Sequence, residues 1–156
     1  MNSREVVEAF FAYWGVQDVE MTCALFHDNI VYKLHVARSV LPFGGEWRGV
    51  AACRHAMFSI LEEFDYLRYE PTIVSVRGSV VRAHVRFKYQ HRRTGGILEG
   101  TRRLVFHVRN GRILYVHGFH DAQLIDAFMQ LTQYRMAANQ LARAPELPPR
   151  ETQGSE

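Results

Sequence analysis

The segment "HGFHD", residues 117–121, places two histidines and an aspartate within five residues. Imidazole titrates near neutral pH, so a histidine here suits general acid/base work. Metal binding is the competing chemistry, because the chain holds eight histidines. The spacing argues against it. His117 and His120 are three apart on a strand-like stretch and face opposite ways, and no HxH or HExxH pattern occurs. His107 and His117 can neighbour each other across strands, on the outer face. Asp121 precedes "AQLIDAF", so it reads first as a helix N-cap and only second as a catalytic acid. Tyr32 carries a hydroxyl that can orient a ligand carbonyl or sit satisfied in a core. The two cysteines, Cys23 and Cys53, have no CxxC spacing, which points to a reducing compartment and away from a disulfide or zinc framework.

These groups must be positioned by an ordinary globular frame. A chain of 156 residues, 47% hydrophobic, predicts one domain with a real core. No apolar run is long enough to cross a membrane, and the charged pair in "MNSREVVEAFF" reads as a helix and not as an export signal, so a cytoplasmic protein is expected. The net charge of +3 is mild. Arg82, Arg86 and Lys88 alternate on one strand, joined by Arg103 and Arg109, which reads as a solvated face. Without an aromatic platform beside it, nucleic acid is not an expected partner.

Hydrophobic periodicity gives the elements. Residues 3–14 carry a 3-4 stripe of Val6, Val7, Phe10, Phe11 and Trp14. Asp18 caps a second helix over 19–26, "HDN" reads as a turn, and 30–36 as a strand. The segment "LPFGGEWRGV", residues 41–50, is a loop with two large aromatics, Phe43 and Trp47, where polar residues would be usual. A third helix follows with Val50, Met57, Phe58 and Leu61 as its apolar set. Pro71 opens extended structure, and Gly78-Ser79 marks a hairpin. In "SVVRAHVRFKYQ", Val81, Ala83, Val85, Phe87 and Tyr89 point one way and Arg82, His84, Arg86 and Lys88 the other. Two more strands, joined at "RNGR", lead to a final helix with Leu124, Ile125, Phe128 and Leu131 inward. Residues 1–140 form the domain, and 141–156 a Pro-rich, loose tail. Helices set apart from a meander sheet mean an α+β fold.

The stretches "VVEAFFAYWGVQDVEMTCALFHDNIVYKLH", "LPFGGEWRGVAACRHAMF" and "NGRILYVHGFHD", in that order, resemble the nuclear transport factor 2-like superfamily, and within it the SnoaL-like and ketosteroid isomerase-like branch. The resemblance implies a cone: three to four helices on a curved, mostly antiparallel sheet, enclosing an apolar pocket. It implies that Phe10, Trp14, Tyr32, Leu34, Phe43, Trp47, Phe58, Val85, Phe87, Leu104, Phe106, Val116 and His120 line that pocket. It also implies a homodimer through the convex sheet face, where Ile113, Tyr115, His117 and Phe119 form an apolar strip.

The resemblance does not settle the chemistry. The positions similar to the catalytic groups of ketosteroid isomerase are Phe10, Leu34 and a site near Leu104, all apolar. The positions similar to the Arg and two Asp of limonene epoxide hydrolase fall on Ala83, Val85 and near Gly118. SnoaL-like cyclases use an acid near the end of the last strand, and this chain has His120 and Asp121 there. His120 is thus the catalytic candidate, with Tyr32 as orienting donor and Asp121 as a further acid. The expected function is a pocket for a small apolar molecule, with no cofactor or metal. Two readings stay open: an acid/base enzyme of isomerase, cyclase or dehydratase type, and a non-catalytic ligand-binding or dimerisation module.

Overall fold

The computed structural model describes residues 1–143. Four helices pack on one six-stranded sheet. The first helix, α1 (Ser3–Gly15), opens with a capping box: Asn2 Oδ1 accepts from the Glu5 amide at 2.9 Å, and Glu5 Oε1 accepts from the Asn2 amide at 3.2 Å. Its expected stripe is buried in full. Asp18 caps α2, but that helix spans only Val19–Cys23. Strand β1 (Phe26–Leu34) starts inside the expected helix and runs through "HDN". An irregularity in its pairing between Phe26 and Val31 lets Asp28 and Asn29 project to solvent while the backbone stays extended.

The loop at 41–50 contains an unexpected strand, β2 (Gly45–Arg48), paired antiparallel with β1 so that Trp47 lies opposite Tyr32. Gly44 is required there, because a Cβ at that position would lie 2.3 Å from the Val36 carbonyl oxygen. Helix α3 (Val50–Glu63) buries Cys53, Ala56 and Met57. Phe58, one residue and about 100° further round, is 44% exposed and does not line a pocket, contrary to expectation.

Strand β3 (Phe64–Arg77) follows α3 without a loop, seven residues before Pro71. Pro71 is tolerated within it because β3 is the sheet's edge, where one side needs no amide donor. The hairpin at Gly78-Ser79 leads to β4 (Val80–His91), whose alternation is as expected: Val81, Ala83, Val85, Phe87 and Tyr89 are buried. Strands β5 (Ile97–Arg109) and β6 (Arg112–Phe119) are joined at Asn110 and Gly111, both with positive φ. The sheet order is β2-β1-β6-β5-β4-β3, antiparallel except for β1 beside β6. A pairing irregularity at His107/Val108 turns Ile113 inward, where it is fully buried, so Ile113 is not part of the outer strip.

Helix α4 runs from Ala122 to Arg143 and so continues past residue 140. Residues 144–156 of the expected tail lie outside the described residues. The helix buries Ile125, Phe128 and Thr132, while Leu124 and Leu131 stay largely exposed. At its flank a buried His91 ties the β4–β5 turn to the end of α3, with Glu63 Oε2 and Thr94 Oγ1 each 3.0 Å from its ring nitrogens. The centre of the core is aromatic, with Phe10 and Phe11 meeting Phe106 edge-on at 5.1 and 5.5 Å.

Candidate functional site

One end of the cone is solid. Phe10, Trp14, Val85, Phe87, Leu104, Phe106 and Val116, expected on a pocket wall, are buried in the core and do not border the cavity. They belong to the hydrophobic core where α1 packs on the sheet. The cavity sits at the other end. Its walls are Tyr32 and Leu34 of β1, Leu41, Phe43 and Trp47 of the loop and β2, Cys53, Ala56, Met57 and Ile60 of α3, Phe64 and Tyr66 of β3, Tyr89 of β4, Leu98 and Arg102 of β5, then His120 and Ile125. It holds about 610 Å³ of space free of atoms, open solvent at the mouth included.

Phe43 and Trp47 both border this space, which accounts for two aromatic rings in a short loop. The Trp47 indole N–H donates to the Phe43 carbonyl at 3.1 Å, and the Arg38 guanidinium lies 4.4 Å from the indole centre. Arg38 also donates to the carbonyls of Gly44 and Glu46, at 3.1 and 2.7 Å. The loop is thus fastened over the cavity by its own side chains.

Of the expected chemical groups, His120 and Tyr32 reach the cavity and Asp121 does not. Asp121 is exposed, and its Oδ1 accepts from the amides of Gln123 and Leu124 at 3.0 and 3.2 Å, so the carboxylate caps α4. His120 is half-buried, but its Nδ1 is wholly buried and has no hydrogen-bond partner. Burial holds its pKa well below the usual histidine value, and the nearby Arg102 charge lowers it further. The ring is therefore neutral at physiological pH. It packs in a T-shaped arrangement with Phe87, ring centres 5.8 Å apart.

Arg102 is the residue the sequence reading passed over. It is 5% exposed, and its Nη2 donates to Tyr32 Oη at 3.0 Å. Its Nε is buried without a partner, as is Tyr89 Oη. Burial works to lower the Arg102 pKa, but phenol oxygens, Tyr32 first and then Tyr89, Tyr69 and Tyr66, more than offset it. Burial in turn raises the pKa of Tyr66, Tyr69 and Tyr89, so these phenols stay protonated. Among the described residues no carboxylate borders the cavity or lies within 4.0 Å of Arg102.

The register explains how Arg102 comes to face His120. Arg103 pairs with Phe119 on the outer side, and the adjoining positions 102 and 120 share the cavity side. Gly118 leaves the guanidinium its lane, since a Cβ there would lie 2.9 Å from Arg102 Nη2. Period-2 alternation back from Leu104 and Phe106 lands on Arg102, and that signal was present in the sequence.

The cavity thiol is not a nucleophile. Burial pushes Cys53 up to about 12, and Cys23, which lies outside the cavity, up to about 11. Among the described residues no three His, Cys, Asp or Glu side chains are grouped to hold a metal. His107 and His117 do neighbour each other on the outer face, with ring centres 6.1 Å apart. His35 stacks on Phe119 at 4.2 Å, with its Nε2 3.1 Å from His117 Nδ1. His55 is exposed on α3, 6.1 Å from the Trp47 ring. No helix among the described residues is long and apolar enough to cross a membrane.

Comparison with known proteins agrees with this architecture. A protein of the nuclear transport factor 2-like type from Burkholderia thailandensis is 23% identical, with 83% of this chain and 98% of that one covered and a TM-score of 0.73. A protein from Rhodopseudomonas palustris, provisionally called an isomerase, is 19% identical over 85% of this chain and 98% of its own, with a TM-score of 0.71. A provisional polyketide cyclase from Xanthomonas campestris is 17% identical over 81% and 96%, with a TM-score of 0.67. At these identities the likeness is one of fold. No curated protein matches the chain. The family model of the SnoaL-like domain matches residues 7–116, which reach from α1 to the middle of β6 and take in the loop over the cavity, and on that match the chain belongs to the SnoaL-like family within the nuclear transport factor 2-like superfamily.

Proposed function

We propose that this protein is an acid/base catalyst of isomerase, cyclase or dehydratase type, acting on a small, largely apolar molecule. The observation that carries the proposal is His120: a neutral imidazole with a buried, unpartnered Nδ1 at the wall of an apolar cavity. A nitrogen in that state can take a proton from a carbon acid without first surrendering a hydrogen bond. The oxygen of the substrate gains negative charge as the proton leaves. Tyr32 Oη, polarised by the bond it accepts from Arg102, is placed to donate to that oxygen. The relatives provisionally called isomerase and polyketide cyclase support this general kind of chemistry.

The alternative is a binding module of the same fold, in which the cavity holds a ligand and His120 moves no proton. Deuterium exchange separates the two readings. A panel of small aryl and alkenyl ketones in D2O, followed by NMR, should include compounds whose α-proton exchanges faster with the protein present. His120→Phe should lower that exchange by about 10²–10⁴-fold, the usual worth of a positioned acid/base group. Exchange unchanged in His120→Phe would end the proposal. Ligand binding with no exchange across the panel would favour the binding module.

A further inference from the structure

We infer that the molecule held in this cavity carries a carboxylate, and that Arg102 receives it. The inference rests on the small-molecule pocket proposed above, but not on proton transfer by His120. A guanidinium carries its charge at any physiological pH, and burying one without a counter-ion is costly. Here the charge meets only neutral partners. One Nη2 hydrogen goes to Tyr32 Oη, Nε is unpaired, and among the described residues no acid lies within ion-pair distance. A guanidinium needed only as a strut would be expected to bond several carbonyls or an acid.

The free edge has a definite shape. Nε–H and one Nη2 hydrogen lie along the same edge of the guanidinium plane, and such an edge can grip a carboxylate with two parallel bonds. Tyr89 Oη is a further buried hydroxyl without a partner, on the neighbouring strand. The position looks built and not incidental, since the absent side chain of Gly118 is what leaves room for Nη2. The other walls, among them Leu34, Phe43, Trp47, Met57 and Phe64, are apolar, so the body joined to the carboxylate is apolar and small.

The test uses four compounds with the full-length protein: trans-cinnamate, its neutral isostere cinnamamide, phenylacetate and inorganic phosphate. Thermal shift and calorimetry should show both carboxylates binding at least 10-fold more tightly than cinnamamide, with phosphate giving no shift. Arg102→Met should abolish the preference for carboxylate over amide, and Arg102→Lys should keep part of it. In His120→Phe the carboxylate-over-amide preference should persist even if both affinities change, which separates this inference from the catalytic reading. Equal affinity for cinnamate and cinnamamide would overturn it, as would cinnamate binding that survives Arg102→Met, or neither carboxylate binding at millimolar concentration. Ketones that exchange their protons while no carboxylate binds would defeat this inference and leave the proposed function standing.

Discussion

Arg102→Met should make the ligand-free protein more stable, not less. Arg102 is 5% exposed, so its guanidinium has lost most of its hydration, at an effective cost of several kcal/mol for a buried ion. Its one hydrogen bond, to Tyr32 Oη at 3.0 Å, is a charge-assisted contact of about 1.5–3 kcal/mol, with the phenol oxygens of Tyr89, Tyr69 and Tyr66 adding to it. Methionine fills similar space with an unbranched apolar chain and adapts to irregular gaps. The substitution leaves Tyr32 Oη without its donor, which takes back about 1 kcal/mol. The balance is a gain of about 2 kcal/mol, inside the range found when buried ions are replaced by apolar side chains. For a chain of this length each kcal/mol moves the midpoint by roughly 2–4 °C, so Tm should rise by about 4–8 °C. The assay is thermal and urea unfolding of both proteins after exhaustive dialysis. Native mass spectrometry should first confirm that no small molecule is retained, because a bound anion would reverse the sign. A Tm several degrees lower in Arg102→Met would mean that the chain itself satisfies this charge, and the case for a ligand on Arg102 would fall with it.

Three further outcomes follow from the same structure. His120 has a folded-state pKa depressed below its unfolded value of about 6.5, so the unfolded chain takes up the proton first and stability falls as pH drops below 6.5. In urea unfolding between pH 6.5 and 5, His120→Phe should show a shallower loss than wild type, by up to about 1.4 kcal/mol per pH unit; parallel curves would refute the depressed pKa. Gly118→Ala places a Cβ 2.9 Å from Arg102 Nη2, so the guanidinium should swing away, with carboxylate affinity down about 10-fold and stability changed by under about 1 kcal/mol, read by calorimetry and melting. On the convex face the rings of Tyr115, His117, His35 and Phe119 stack side by side, and sedimentation at micromolar concentration should show a homodimer that Phe119→Glu converts to monomer. A monomeric wild type would remove that idea.

The fold was legible because its longest patterns are unambiguous. The stripe of α1, the five alternating residues of β4 and the Asn-Gly turn each allow one reading, and their order specifies the architecture. The misreadings share a cause: each hangs on one residue of phase. An irregularity at His107/Val108 turns Ile113 from the outer face to the core. A rotation of about 100° on α3 separates buried Met57 from exposed Phe58. The polar triplet "HDN" suggests a turn, yet an irregular strand carries it without breaking. Pocket lining was harder still. Inward orientation follows from alternation, but alternation does not say whether an inward residue meets another side chain or empty space. That depends on where α1 crosses the sheet, a long-range fact, and it is why Val85 and Phe106 are core while Tyr89 and Leu98 border the cavity.

Arg102 shows the limit differently. "TRRLVF" holds two adjacent arginines on one strand, and successive strand residues face opposite sides, so at most one of the pair could belong to the solvated basic face. Arg103 belongs to that face in the sequence reading and Arg102 is given no place, although alternation turns it inward; arginine is seldom buried without a partner, and this residue breaks that rule. A side chain that breaks its strand's pattern at a cost in stability needs a compensating contact, and among the described residues Arg102 has one hydrogen bond, to Tyr32 Oη, and no carboxylate partner. His120 was found by elimination of better-known catalytic positions. Arg102 stands out through an energetic discrepancy. The two sit at adjoining positions of β5 and the end of β6, one neutral and one cationic, and both border the same small space. A substrate with a carboxylate on the arginine would bring its neighbouring carbon toward the imidazole, and would also reduce the positive field that helps keep His120 neutral, making it a stronger base once the substrate is bound.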